Sequence, residues 1–253
     1  MLRRLGILCL ILFLCGCETV YNPATGRNEL ILIDDATEAA IGRNVSAQIT
    51  QKDRVLTGTS EQERVERIGR RLAAASDRQN INYEFYALDT KGLNAVSLPG
   101  GIIYVYKGLL DKLNDEELAF VLGHEVGHVA AKHAIKQLQA NLGFSLLLTV
   151  ALVAGGGKEG SRVTDIAKAS DQIFNLISLG YSREDESFAD RLGVKYSYQA
   201  GFNPYAGISA LTKLGEDEGN GIQIPEYMRT HPYAKDRIKA LEVLIPEITQ
   251  RTN

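Results

Sequence analysis

Apolar residues recur every three to four positions through most of this chain and alternate over only a short stretch. Val65, Ile68 and Leu72 follow Ser60-Glu61-Gln62-Glu63, where Ser60 caps a helix and Glu63 answers it three residues on, so the pattern predicts a helix over 61–78. Residues 35–52 read as a helix before it. Ile81, Tyr83, Phe85 and Ala87 alternate with Asn82, Glu84, Tyr86 and Leu88, a strand signal. Strands are also expected over 93–98 and 102–106, on either side of the turn Pro99-Gly100-Gly101. Asn114 with Glu117 forms another capping box before a helix running to about residue 140. Phe144–Ala154 is apolar but too short to cross a bilayer, and reads as a buried or partly exposed helix before the Gly155-Gly156-Gly157 loop. Further helices are expected over 163–179, 183–200 (stopped by Gly201), 204–214 and 233–245. The fold class is α+β and mostly helical, with a small N-terminal sheet.

The first residues read differently. Arg3 and Arg4 precede the apolar run Leu5–Leu14, and Leu14-Cys15-Gly16-Cys17 resembles a bacterial lipobox. Residues 1–16 are thus expected to be a lipoprotein signal peptide and 17–34 a tether from a lipidated Cys17, with one domain over 35–253. The alternative is an ordinary secretory signal or an uncleaved anchor. Glu18, which is not aspartate, points to the outer membrane facing the periplasm. All three cysteines (Cys9, Cys15, Cys17) fall in this segment, so the remaining chain offers no disulfide, no thiol nucleophile and no cysteine ligand. Removing Arg3 and Arg4 takes the formal charge from −3 to −5, and a mildly acidic domain without a basic run gives no footprint for nucleic acid.

Candidate chemistry is concentrated in residues 123–133, G-H-E-V-G-H-V-A-A-K-H, which hold three of the chain's four histidines. Residues four apart share a helix face, so His124 and His128 can grip one ion with Glu125 beside it. Two neutral imidazoles and a carboxylate able to take a proton from water suit zinc hydrolytic chemistry. Gly123 and Gly127 each cost about 1 kcal/mol inside a helix, which implies a close backbone approach there. Nine steps of about 100° put His133 on the opposite face of a continuous helix, so it is not the third ligand and reads as a surface or packing residue. The third ligand has to come from elsewhere. In S-R-E-D-E-S-F-A-D-R-L-G (182–193), Glu186 and Asp190 share a face, and Asp190 could accept the spare N–H of a ligating histidine. Glu184 and Asp185 remain rivals for the ligand on spacing alone.

H-E-V-G-H followed downstream by E-S-F-A-D-R-L-G resembles the gluzincin peptidase family of HtpX and the CAAX prenyl proteases, and more narrowly its periplasmic lipoprotein members such as LoiP and BepA. The resemblance implies a zincin-like metalloprotease domain built around an HExxH helix. It also implies one Zn2+ per chain held by His124, His128 and Glu186, with Glu125 as general base. Asn94-Ala95 with Leu98-Pro99-Gly100-Gly101 resembles the family's substrate-binding edge. This implies that Asn94, Ala95, Gly101, Ile102 and Ile103 contact substrate, with Ile102–Tyr106 presenting a free edge. Thr230-His231-Pro232 with Arg237 resembles its C-terminal element: His231 would donate to the oxyanion, and Arg237 would hold that segment against an acidic partner. The bland alternative for His231 is a helix cap ahead of Pro232. Unlike HtpX, the chain shows no series of membrane spans, and unlike BepA no helical-repeat segment.

The expected function is zinc-dependent endoproteolysis in the bacterial cell envelope, acting on unfolded or misassembled envelope proteins. The competing expectation is a chaperone-like binding factor that keeps the metal site and cleaves little. An aminopeptidase would need an acidic anchor for a free amine, and no such motif is apparent. Retention of Glu125 favours the enzyme.

Overall fold

The computed structural model describes residues 19–141, 173–215 and 226–251. The expected signal segment with Cys17, the apolar run 144–154, the glycine loop expected after it and most of the helix expected over 163–179 lie outside these residues. The described chain opens with a hairpin of β1 (Val20–Asn22) and β2 (Arg27–Glu29), which occupies the expected tether. Two helices follow, α1 (Asp35–Lys52) and α2 (Ser60–Ala75). Thr59 rather than Ser60 caps α2, through a hydrogen bond from the Gln62 amide. Val65, Ile68 and Leu72 bury the apolar face of that helix in the main core.

A three-stranded sheet comes next: β3 (Glu84–Leu88), β4 (Ala95–Ser97) and β5 (Ile102–Tyr106), in spatial order β3-β5-β4. β5 pairs parallel with β3 and antiparallel with β4. This corrects the expectation of a free edge at Ile102–Tyr106, because β5 is the centre of the sheet and all five of its residues are buried. The outer edge on the site's side is β4. Asn94 accepts from the Tyr106 amide and the Leu98 amide donates to Ile102, so even-numbered positions bond to β5. By antiparallel alternation, the backbone groups of Ala95 and Ser97 face outward. Gly100, at φ 81°, makes the turn between β4 and β5, a conformation that few residues other than glycine adopt.

The rest is helical: α3 (Lys107–Lys112), α4 (Asp115–Ala130), a stretch at 133–141, another at 173–178, α5 (Arg183–Gln199), α6 (Ala206–Gly215), α7 (Glu226–Thr230) and α8 (Ala234–Arg251). The capping box expected at Asn114 with Glu117 starts α4, and Ser182 with Asp185 forms a second one at the start of α5. α4 crosses α5 at glycines. A Cβ on Gly123 would stand 3.0 Å from the Gly193 carbonyl oxygen, and one on Gly127 would stand 3.1 Å from that of Ala189. Missing side chains let the two backbones touch, and this contact sets the residues of one helix against those of the other.

The helix expected to continue to about residue 140 instead breaks after Ala131. Lys132 takes φ 57°, an unusual conformation for a residue with a side chain, and helix resumes at 133. Its ammonium group reaches Asp35 at 2.6 Å and Glu38 at 2.7 Å. Buried Arg78 grips the same Glu38 with two bonds of 2.8 Å and also donates to the Val129 carbonyl. Glu38 further accepts from the Gly100 amide. One buried carboxylate on α1 therefore ties the end of α4 to the β4–β5 turn. Burial alone would raise the Glu38 pKa, but the hydrogen bonds and charge of Arg78, then those of Lys132, outweigh it and hold the group below its ordinary 4.5. A depressed folded pKa means that the stabilisation is fully present above pH 4.5 and is lost as pH falls through the lower, folded value. Thermal melts from pH 6 downward should therefore fall more steeply for wild type than for Glu38→Gln; parallel slopes would show that Glu38 carries no such linkage.

Candidate metal centre

α4 presents His124 and His128 one turn apart, α5 presents Glu186, and the residue after α7 presents His231. One ligand atom from each falls within 4.8 Å of all the others, and all four residues are buried. The Nε2 atoms of His124 and His128 stand 2.9 Å apart. Glu186 places Oε2 3.5 Å from His124 Nε2 and Oε1 3.4 Å from His128 Nε2. His231 Nδ1 lies 3.2 Å from His124 Nε2 and 2.9 Å from Glu186 Oε1. Of the three acidic rivals on α5, only Glu186 reaches this point.

The groups behind the donors fix their orientation. His124 Nδ1 lies 2.9 Å from Asp190 Oδ1, so His124 carries its proton there and turns a lone pair on Nε2 toward the other donors. Arg237 holds Asp190 with bonds of 2.8 and 2.7 Å, donates to the His231 carbonyl, and lies 3.0 Å from Glu186 Oε2. His231 is thus fixed by its own backbone, and its ring is directed inward rather than toward the helix end.

The donor set fits a cation. Among the described residues Glu186 Oε2 has an ion-pair contact with Arg237 but no hydrogen bond, and facing imidazole nitrogens leave lone pairs turned on one another. Burial, reinforced by the Arg237 charge, pushes the His124 pKa down to about 4, so its ring is a neutral ligand at physiological pH. Burial would raise Glu186, yet His231, His124 and Arg237 hold it well below the ordinary carboxylate range. Two neutral imidazoles and an anionic carboxylate suit zinc.

Beside the donors lies an open cleft lined by Asn94, Ala95, Ser97, Glu125, Tyr181 and His231, among others. Ser97 Oγ donates to Glu125 Oε2 at 2.7 Å, while Glu125 Oε1 has no hydrogen bond although His231 Nε2 is 3.3 Å away. Asn94 Oδ1 and the Tyr181 hydroxyl are likewise buried without partners. Of the residues expected to touch substrate, Asn94 and Ala95 line this cleft. Gly101, Ile102 and Ile103 do not, because they belong to the turn and the central strand behind β4. Ser97 and Tyr181 escaped the sequence reading, since nothing in their spacing ties them to His124 or Glu125.

His133 stays outside the donor set, as expected, but its placement on the opposite face is corrected. The break at Lys132 swings it off the opposite face, and its Nδ1 comes to 2.9 Å from His128 Nδ1. It is buried, and burial with the nearby His128 pushes its pKa well below the ordinary value.

A helix presenting H-E-x-x-H and a second helix supplying a glutamate, packed under a small sheet with an open edge strand, define a zincin-like metallopeptidase. The chain belongs to peptidase family M48, whose model matches residues 59–245. Its relatives include the mitochondrial metalloendopeptidase OMA1 of Arabidopsis thaliana, 31% identical over 76% of this chain. The metalloprotease LoiP of Escherichia coli K12 is 28% identical over 81% of this chain and 79% of its own length. The beta-barrel assembly-enhancing protease of Yersinia pestis is 29% identical over 68% of this chain. This chain spans 38% of the length of the OMA1 relative and 36% of that of the assembly-enhancing protease.

Proposed function

We propose that the chain is a zinc-dependent endopeptidase of the bacterial cell envelope, cutting unfolded or misassembled proteins. The observation that carries this is that the four buried donors adjoin a cleft lined by Glu125, His231 and the outer edge of β4. His124, His128 and Glu186 would hold zinc. When bound there, it supplies Lewis acidity toward the scissile carbonyl and lowers the pKa of water. Glu125 takes the proton from water and passes it to the leaving amine, with Ser97 aiming its carboxylate. The backbone groups of Ala95 and Ser97 pair with an extended peptide, and Asn94 Oδ1 is free to accept a substrate amide. Backbone recognition of this kind tolerates many sequences and requires an unfolded segment or a loop. Casein digestion should proceed with the purified full chain and stop on chelation; digestion that persists in chelator would overturn the zinc reading.

His231 has two possible roles in this cleft. As a fourth donor through Nδ1 it would fill the position that a catalytic zinc site keeps open, so turnover requires its ring to withdraw. Its Nε2 stands 3.3 Å from Glu125 Oε1, and from that side of the cleft it would donate to the oxyanion. His231→Phe should therefore lower kcat on the order of a hundredfold. A variant as fast as wild type or faster would make His231 a competing donor only.

Location is read from the N-terminus together with the name of the assembly-enhancing relative. Lipid on Cys17 would tether the domain to the outer membrane, facing the periplasm and its unfolded clients. Among the described residues no helix is long and apolar enough to cross a membrane. Cys17→Ser should abolish labelling by palmitate and release the protein from membranes, and labelling that survives the substitution would refute the anchor.

A further inference from the structure

His133 takes no part in the peptidase chemistry outlined above, yet it is only 4% exposed and directed at a donor histidine. We propose that His133 is a positioning residue for the metal centre: it accepts the Nδ1–H of His128 and so fixes the tautomer and ring plane that turn His128 Nε2 toward the metal. The inference rests on the zinc reading.

The proton bookkeeping leaves one assignment. His128 joins the other donors through Nε2, so a neutral ring must carry its proton on Nδ1. That N–H is buried and needs an acceptor, and the atom recorded against it is His133 Nδ1, at 2.9 Å. His133 must then hold a lone pair on Nδ1 and its proton on Nε2, which faces Asp185 Oδ1 at 3.4 Å. Asp185 is itself held from behind, because its other oxygen accepts from Ser182 Oγ at 2.6 Å in the capping box that starts α5. The Tyr181 ring stacks on His128 with centroids 4.1 Å apart, fixing the plane from its face while His133 fixes it from its edge. Both ligand histidines of α4 are therefore oriented from α5, His124 directly through Asp190 and His128 through His133 and Asp185. The second route ends on a neutral imidazole, which polarises its partner less than a carboxylate does.

A space-filling histidine and an orienting one predict different behaviour. His133→Leu keeps bulk and removes the acceptor, whereas His133→Asn keeps an acceptor near the Nδ1 position. In the purified full chain, zinc affinity measured by chelator competition should fall on the order of 10- to 100-fold in His133→Leu and largely recover in His133→Asn. Melting of the two metal-free variants should be similar. If His133→Leu holds zinc as tightly as wild type, or His133→Asn as weakly as His133→Leu, the proposal is wrong. Nitrogen-15 spectra of the zinc-loaded wild type give a second test that requires no variant to fold. His128 should carry its proton on Nδ1 and His133 on Nε2, and a proton on His133 Nδ1 would overturn the assignment. Wild-type protein that binds no zinc at all would instead overturn the function proposed above, so the two failures are distinct.

Discussion

Glu125→Gln should retain zinc at wild-type stoichiometry and lose proteolysis. Glutamine preserves the volume of the side chain and can still accept from Ser97 Oγ, as the Glu125 carboxylate does. It cannot take up a proton. A positioned general base contributes about 10²–10⁴ in rate, so casein cleavage should fall by that factor while metal content is unchanged. Stability should hold, because glutamine fills the same space and keeps the Ser97 bond. Metal analysis, melting and cleavage on the same preparation separate these effects. Cleavage within tenfold of wild type would remove Glu125 from the chemistry.

Arg237→Met should produce the largest loss of stability. The guanidinium is buried and touches Asp190, Glu186 and the His231 carbonyl. Burial opposes its charge, but Asp190 and then Glu186 more than compensate and raise its pKa well above the ordinary value. Methionine leaves both carboxylates buried without that partner, a change that costs about 3–5 kcal/mol. In a domain of this size the melting temperature should drop on the order of 10 °C. The fall should be smaller with zinc present, since the ion compensates part of the same negative charge. Melting curves with and without metal test this, and equal drops in the two states would mean that Arg237 does not act on the donor set.

The local part of the site was legible in the sequence. His124, Glu125 and His128 are placed by helical spacing alone, and the capping box at Asn114 is a local hydrogen-bond pattern that starts α4. Glu186 was not separable from Glu184 and Asp185 by spacing, since what selects it is the angle at which α4 and α5 cross over their glycines. The edge strand was misassigned for a related reason. Alternation identifies a strand but not its neighbours, and β5 reads much the same whether it is central or at an edge. His133 was illegible because Lys132, bound to Asp35 from 97 residues earlier in the chain, takes a backbone conformation that its residue type does not announce.

The Glu38 cluster also bears on where the domain can be cut. The family match starts at residue 59, after α1 has ended. A protein trimmed to that boundary would keep Arg78 and Lys132 but lose both of their carboxylate partners, Asp35 and Glu38. The turn that delivers His133 and the turn that carries β4 would lose their shared fastening in the same stroke. A fragment that keeps this fastening has to include Asp34, whose side chain caps α1.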